Sequence, residues 1–279
     1  MLSIFFGLMS ALVWGAADFT GGLASRSAGP FRVLLRSELV GLLVLVAGVL
    51  AIGETGLDAI SATQAAVAGA LGTLGLLLLY QAMATGTMSI AAPVSALTAA
   101  ILPVVAGSFT EGIPSGLTLM GFALALMAIW FVSQNQNGER KLLAHLIDLR
   151  LPLLAGVGFG SYFVLMHAAA RENTLWPMVI SRGAGLTLVA LLMVVRRDPG
   201  RLPRGVWPII ILNGILDVGG NAFYILAGQT GRLDVSAVLS SLYPASTLIL
   251  AAFILKERLS STQWIGIGSA FVAIVLFAL

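Results

Sequence analysis

This 279-residue sequence has no cysteine, so disulfides, thiolate nucleophiles and cysteine-ligated metals are excluded. Charge is almost as scarce: 15 Lys and Arg with 12 Asp and Glu make only 10% of the chain, and there are two histidines. A soluble domain needs about a quarter of its residues charged to cover its surface, so this chain cannot be one. The formal charge of +3 resides in connecting segments and is no nucleic-acid footprint. No glycine-rich phosphate loop ending in Lys-Ser or Lys-Thr occurs, which removes ATP as an internal drive. No His-Glu-x-x-His or other intramembrane catalytic motif is present, and neither Lys141 nor Lys256 falls inside an apolar segment to hold retinal. No cofactor, no metal and no enzymatic activity are expected.

What is present is apolar. Hydrophobic residues make up 58% of the chain and mean hydropathy is +1.00. Crossing a ~30 Å hydrocarbon core takes roughly 20 apolar residues per helix. That length predicts ten spans, at 4–24, 32–52, 64–84, 88–109, 115–133, 151–170, 176–195, 207–229, 233–254 and 260–279. The apolar start, Met1 to Leu23, has no basic leader region and reads as a span, not a cleaved signal. Residues 134–150 open with the polar run Gln134 to Gly138 and continue with an amphipathic stretch, read as a short interfacial helix. Trp130, Trp176, Trp207 and Trp264 lie at or near span ends, as interface anchors do.

The chain also repeats itself at a distance of 145 residues. Gly15 matches Gly160, Arg26 matches Arg171, Gly86 matches Gly231 and Ser95 matches Ser240. The spacing Ser115 to Gly121 returns as Ser260 to Gly266. Each copy holds five spans, and duplicating an odd number turns the second copy over in the bilayer, the inverted-repeat plan of secondary transporters. The expected fold is therefore an all-α integral membrane protein of ten transmembrane helices, with repeats over 1–133 and 151–279 joined by 134–150. Since one chain holds both repeats, a functional monomer is expected.

Ionisable groups inside spans are costly and mark candidate sites. Asp18 lies about 9 Å inside span one, at 1.5 Å per residue, and Arg36 and Glu38 enter span two from the same side. An Asp18–Arg36 pair would neutralise two charges and lock spans one and two; as a functional group instead, the Asp18 carboxylate near the cavity mouth would bind a cationic substrate group or a proton. Glu38, with no obvious second partner, is the candidate proton carrier of the first half. Arg182 corresponds to Arg36 after a one-residue shift, but Phe163 stands where Asp18 would recur. Arg182 is thus free either to meet a substrate carboxylate or phosphate or to snorkel to the interface. His167, near the end of span six, reads as an interfacial side chain. In span eight Asn213, Asp217, Asn221 and Tyr224 share one helical face with Asp217 near mid-membrane, which reads as a cavity lining and a second coupling carboxylate. Span nine offers Ser240 and Tyr243 beside Pro244, and span four carries Pro93 and Pro103. Prolines in membrane helices free carbonyls and act as hinges. Tyr80 and Gln81 end span three, and Trp14, one turn before Asp18, is placed to stack on an organic substrate. The resulting cavity is expected among spans one, three, four, six, eight and nine.

Several of these features resemble the drug/metabolite transporter superfamily, in particular its ten-helix EamA-type members. The resemblance rests on Trp14-Gly15, on Tyr243-Pro244, and on Leu255-Lys256-Glu257-Arg258-Leu259-Ser260 followed by Gly266. Pro103 and Glu111 form a weaker first copy, with one extra residue before Ser115. It implies export of a small organic metabolite such as an amino acid by alternating access, with protons as a candidate coupling ion, in a plasma membrane of the bacterial inner-membrane kind. A lipid-like substrate flippase on the same fold, and a membrane-embedded enzyme, are the alternatives. The resemblance implies cytoplasmic termini. The charge count points the other way, with 11 Lys and Arg in the loops after spans one, five, seven and nine.

Overall fold

Helices in this chain begin and end where the backbone chemistry demands it. In the computed structural model, which describes residues 1–54, 56–85, 88–132, 149–198, 201–254 and 260–278, α1 (Leu2–Ala28) stops at Gly29, whose φ is 83°. Pro30 then opens α2 (Pro30–Ile52) at a position where its missing N–H costs nothing. Gly53 closes α2 in the left-handed conformation that glycine adopts without a Cβ clash. Asp58 starts α3 (Ala59–Thr85), its Oδ1 accepting the amides of Ile60 at 2.8 Å and Ser61 at 3.1 Å. The Ser61 hydroxyl and these amides hold the Asp58 carboxyl below the ordinary carboxylate range.

The chain continues through α4 (Met88–Thr110), α5 (Gly116–Val132), α6 (Arg150–Ala169) and α7 (Leu175–Val195). A single 3₁₀ turn, Arg204–Val206, precedes α8 (Trp207–Thr230). The segment beyond it is broken into α9 (Leu233–Ser240) and α10 (Tyr243–Ile254), and α11 (Ser261–Ala278) follows. The described residues are 88% helix and include no strand. Seven described segments are long and apolar enough to cross a membrane, and Val94–Thr110 and Gly116–Phe131 are shorter apolar helices. The boundaries fall within a few residues of the hydropathy expectation, because the burial that makes a span also sets its length. Most of the expected interfacial helix in 134–150, and the Leu255 to Leu259 hairpin, lie outside the described residues.

Packing inverts the pattern of a soluble core. Many of the fully buried positions are small, as at Ala65, Ala68, Ala96, Ala99, Ala125, Ala155, Ala227, Ala237 and Ala273, while Leu50, Phe109, Val195 and Phe253 face outward. With no hydrophobic drive between helices in lipid, close approach of backbones is what holds them together. α1 lies along α8, α3 along α6, and α5 along α11, while α4 packs on α6 and α2 on α7. At these crossings glycine is a steric requirement. A Cβ at Gly69 of α3 would run into the Ser181 carbonyl of α7, and one at Gly214 of α8 would come within 2.7 Å of the Ser37 carbonyl of α2.

Candidate functional site

Seven helical segments deliver side chains to one cavity in the middle of the bundle. Its wall includes Trp14 and Asp18 from α1, Glu38 from α2, Thr73 from α3, Phe159, Tyr162 and Phe163 from α6, Arg182 from α7, Asp217 and Asn221 from α8, and Tyr243 from α10. It encloses about 600 Å³ of empty space, counting the part open at its mouth.

The cavity is organised by one guanidinium. Arg182 Nη1 donates to Glu38 Oε2 at 2.9 Å, and Nη2 donates to Asp217 Oδ2. The Thr73 hydroxyl donates to the other Glu38 oxygen at 3.1 Å. Asn221 Nδ2 donates to the Asp217 backbone carbonyl at 2.6 Å and to its carboxylate at 3.2 Å, and the Tyr162 hydroxyl donates to Asn221 Oδ1. A planar fork of donors suits this bridging role, since one guanidinium can face two carboxylates at once.

These contacts correct three sequence expectations. Arg182 neither snorkels nor keeps its charge for a substrate anion: it is 8% exposed and engaged on both sides. Glu38 has two polar partners, so it is not the unpartnered carboxylate. Among the described residues the Asp18 carboxylate accepts no hydrogen bond and joins no ion pair, so the Asp18–Arg36 pair is not made; Asp18 is 7% exposed on the cavity wall. The physical reason is helix packing. α2 lies against α7 and α8 as well as α1, so Glu38 meets an arginine distant in sequence before α1 supplies a partner.

The remaining predicted residues divide between the cavity and the framework. Trp14 lies on the cavity wall and stacks on Phe163 at 5.6 Å and on Tyr224 at 5.8 Å between ring centroids. Tyr243 is also on the wall, its hydroxyl 2.8 Å from Ser95 Oγ. Asn213 is not on that wall: its Nδ2 donates to the Ala17 carbonyl at 2.7 Å and to the Tyr80 hydroxyl at 3.1 Å, tying α8 to α1 and α3. Tyr80 is consequently held in the framework. Tyr224 is buried behind the cavity and donates to the Phe163 carbonyl at 2.6 Å. Ser240 is fully buried and Gln81 half-buried, and neither lines this cavity. Half of the span-eight polar face therefore serves helix packing, because polar atoms away from a cavity must bond to a neighbouring helix.

The proline expectations also separate. α4 runs unbroken through Pro93 and Pro103, and no described residue of α4 lines the cavity; the side chain of Pro93 lies outside the described residues. At Pro244 the helix is interrupted, with Ser241 and Leu242 forming a turn between α9 and α10. α2 and α7 stand in the cavity wall where α4 was expected. Phe159, Tyr162 and Thr73 were missed by sequence reasoning. A signal for Phe159 was available, since it stands 145 residues after Trp14.

Both ends of the bundle carry polar ties between the two halves of the chain. At one end Glu54 accepts the amides of Thr174, Leu175 and Trp176 at 2.7–2.9 Å, capping α7 from a distance in sequence. There too the Leu233 amide donates to Glu111, Arg232 donates to the Glu111 and Gly112 carbonyls at 3.0 and 2.7 Å, and His167 Nε2 lies 3.4 Å from Glu111 Oε1. His167 thus pairs across the halves instead of facing the interface alone. At the other end Arg32 binds Asp198 at 2.7 Å, and Arg196 sits 4.2 Å above the Phe31 ring.

Comparison with known proteins agrees with this architecture. Residues 149–279 match the EamA-like transporter family. An uncharacterized protein of Methanocaldococcus jannaschii is 25% identical over 129 residues, which is 46% of this chain and 94% of that protein. A solved crystal structure superposes with a TM-score of 0.77 at 17% identity, covering 99% of this chain and 96% of that one, a likeness of fold. Over residues 149–279 the chain is thus similar to the EamA-like transporter family, and its apolar helices make it a multi-pass membrane protein.

Proposed function

We propose that this protein is a secondary transporter that exports a small organic metabolite, such as an amino acid or related compound, by alternating access across a plasma membrane of the bacterial inner-membrane kind. The carrying observation is the central cavity, where side chains from both halves of the chain surround a buried Glu38–Arg182–Asp217 cluster with Trp14, Phe163 and Tyr243 around it. Such intramembrane charges persist where a solute pathway repays their desolvation.

The reading extends to ten spans, α9 and α10 counting as one, in two inverted repeats over 1–133 and 151–279, and to a functional monomer. Contacts related by the 145-residue offset support it. A Cβ at Gly75 would come within 3.2 Å of the Phe159 ring, and a Cβ at Gly220 would strike the Trp14 indole. Each residue of the first pair stands 145 positions from its partner in the second. α1 packing along α8 and α6 along α3 are likewise exchanged by the same relation, as are the Gly69–Ser181 and Gly214–Ser37 crossings within one residue. Rocking one half against the other would break the ties of Glu54 and Glu111 at one end and of Arg32–Asp198 at the other in turn.

Protons serve as the coupling ion in this reading, through Glu38 or Asp217. Arg182 shares its charge between the two, so either carboxylate can take a proton while the other keeps the guanidinium paired. The test is flux in proteoliposomes under an imposed pH gradient. Parent protein should accumulate or expel solute with the gradient, and a Glu38→Gln/Asp217→Asn variant should lose that dependence. Gradient-driven flux unchanged in the double variant would remove the coupling assignment.

A further inference from the structure

The cavity carries three carboxyl groups, Asp18, Glu38 and Asp217, against one guanidinium, Arg182, and no other Lys, Arg or His among the described residues lines it. Arg182 is fully engaged by Glu38 and Asp217. Asp18 is the group left over. It is more than nine-tenths buried, accepts no hydrogen bond among the described residues, and stands on the wall of the cavity one helical turn from Trp14. A buried carboxylate with no partner is expensive, and Asp18 is the carboxyl group of this site that lacks a cationic partner.

On this basis, and resting on the transporter reading above, we infer that the solute is an organic cation, a compact amine whose ammonium pairs with Asp18 and whose apolar body lies against Trp14, Phe163 and Tyr243. Three features of the site agree. The ammonium supplies the donors that Asp18 lacks. Aromatic faces beside the carboxylate add attraction for a cation as well as apolar contact. A carboxylate or phosphate on the solute would instead enter a region of excess negative charge where the single guanidinium is already bridged twice. That chemistry disfavours anions and makes zwitterionic amino acids weaker ligands than the corresponding amines, which narrows the metabolite class considerably.

The test uses the purified full-length protein and four probes of similar shape: 2-phenylethylamine, 2-phenylethanol, 3-phenylpropanoate and phenylalanine. Binding is read from intrinsic tryptophan fluorescence, Trp14 being in the cavity wall, and from thermal stabilisation, which rises with ligand concentration over Kd. The amine should bind roughly tenfold or more tighter than the alcohol, the scale expected of one charge-assisted hydrogen bond in a dry site. Asp18→Asn should reduce that ratio to about one, whereas Asp18→Glu should retain a preference for the amine. Equal or tighter binding of the alcohol, propanoate or zwitterion by the parent overturns the inference, as does no detectable amine binding. An undiminished amine preference in a folded Asp18→Asn protein overturns it too. If Asp18→Asn does not fold, the parent's ranking of the four probes and the Asp18→Glu preference decide. Transport is scored separately: Asp18-dependent amine binding without flux in proteoliposomes would refute the transporter reading and leave the ligand assignment standing. Flux of an anionic solute without amine binding would do the reverse.

Discussion

Removing the Arg182 side chain by Arg182→Met leaves Glu38 and Asp217 facing each other with no counter-charge in the middle of the bundle. Arg182 makes a 2.9 Å contact to Glu38 and a second to Asp217, and all three side chains are largely shielded from solvent. Breaking a buried pair from one side costs about 3–5 kcal/mol because the uncompensated charge remains. Here two carboxylates are orphaned, so the loss should reach at least the upper part of that range. Neutralising all three, as Glu38→Gln/Arg182→Met/Asp217→Asn, removes the charges together and should recover most of the loss, since apolar or neutral replacement of a whole buried cluster is often nearly neutral. Arg182→Lys should fall between, because an ammonium carries the charge but not the fork that reaches both carboxylates. Denaturant unfolding of the detergent-solubilised protein, followed by fluorescence of its five tryptophans, measures all three. An Arg182→Met variant as stable as the parent, or a triple variant no better than the single one, would refute the view that Arg182 holds this cluster together.

Other consequences are equally direct. Gly69→Ala should destabilise by about 1–3 kcal/mol, since its Cβ meets backbone of α7 that cannot yield, whereas Gly183→Ala, with nothing within 4 Å of the added atom, should be neutral or stabilising by up to ~1 kcal/mol; unfolding midpoints compare them. Glu54→Ala removes the acceptor of the Thr174, Leu175 and Trp176 amides at the start of α7 and should cost about 1–2 kcal/mol in the same assay, with Glu54→Gln costing less. Pro244→Ala returns an N–H to the break between α9 and α10. It should slow solute flux in proteoliposomes while leaving equilibrium ligand binding intact, and unchanged flux would show that the break is not a moving part.

How far the sequence carried the reading depends on the kind of interaction involved. The spans were legible because membrane burial imposes a length and a composition on each segment independently of its neighbours. The helix limits at Gly29, Gly53 and Asp58 follow from local backbone chemistry, and Asp18, Glu38, Arg182 and Asp217 stood out because charge within an apolar run is rare. Their partnerships were not legible. Glu38 and Arg182 are 144 residues apart, and their meeting is decided by how α2 crosses α7. The same reason sent Asn213 and Tyr224 into framework bonds while Asp217 and Asn221, on the same helix, reached the cavity.

The amino-acid sequence by itself thus determined a multi-span membrane protein, the positions of its helices, and the small set of intramembrane charges from which any site had to be drawn. Tertiary structure alone decided that Arg182 is consumed by two carboxylates and that Asp18 has none of it. One-dimensional spacing specifies which residues share a helical face, but the pairing of charges depends on the crossing of helices brought together by glycine contacts such as Gly69 on Ser181.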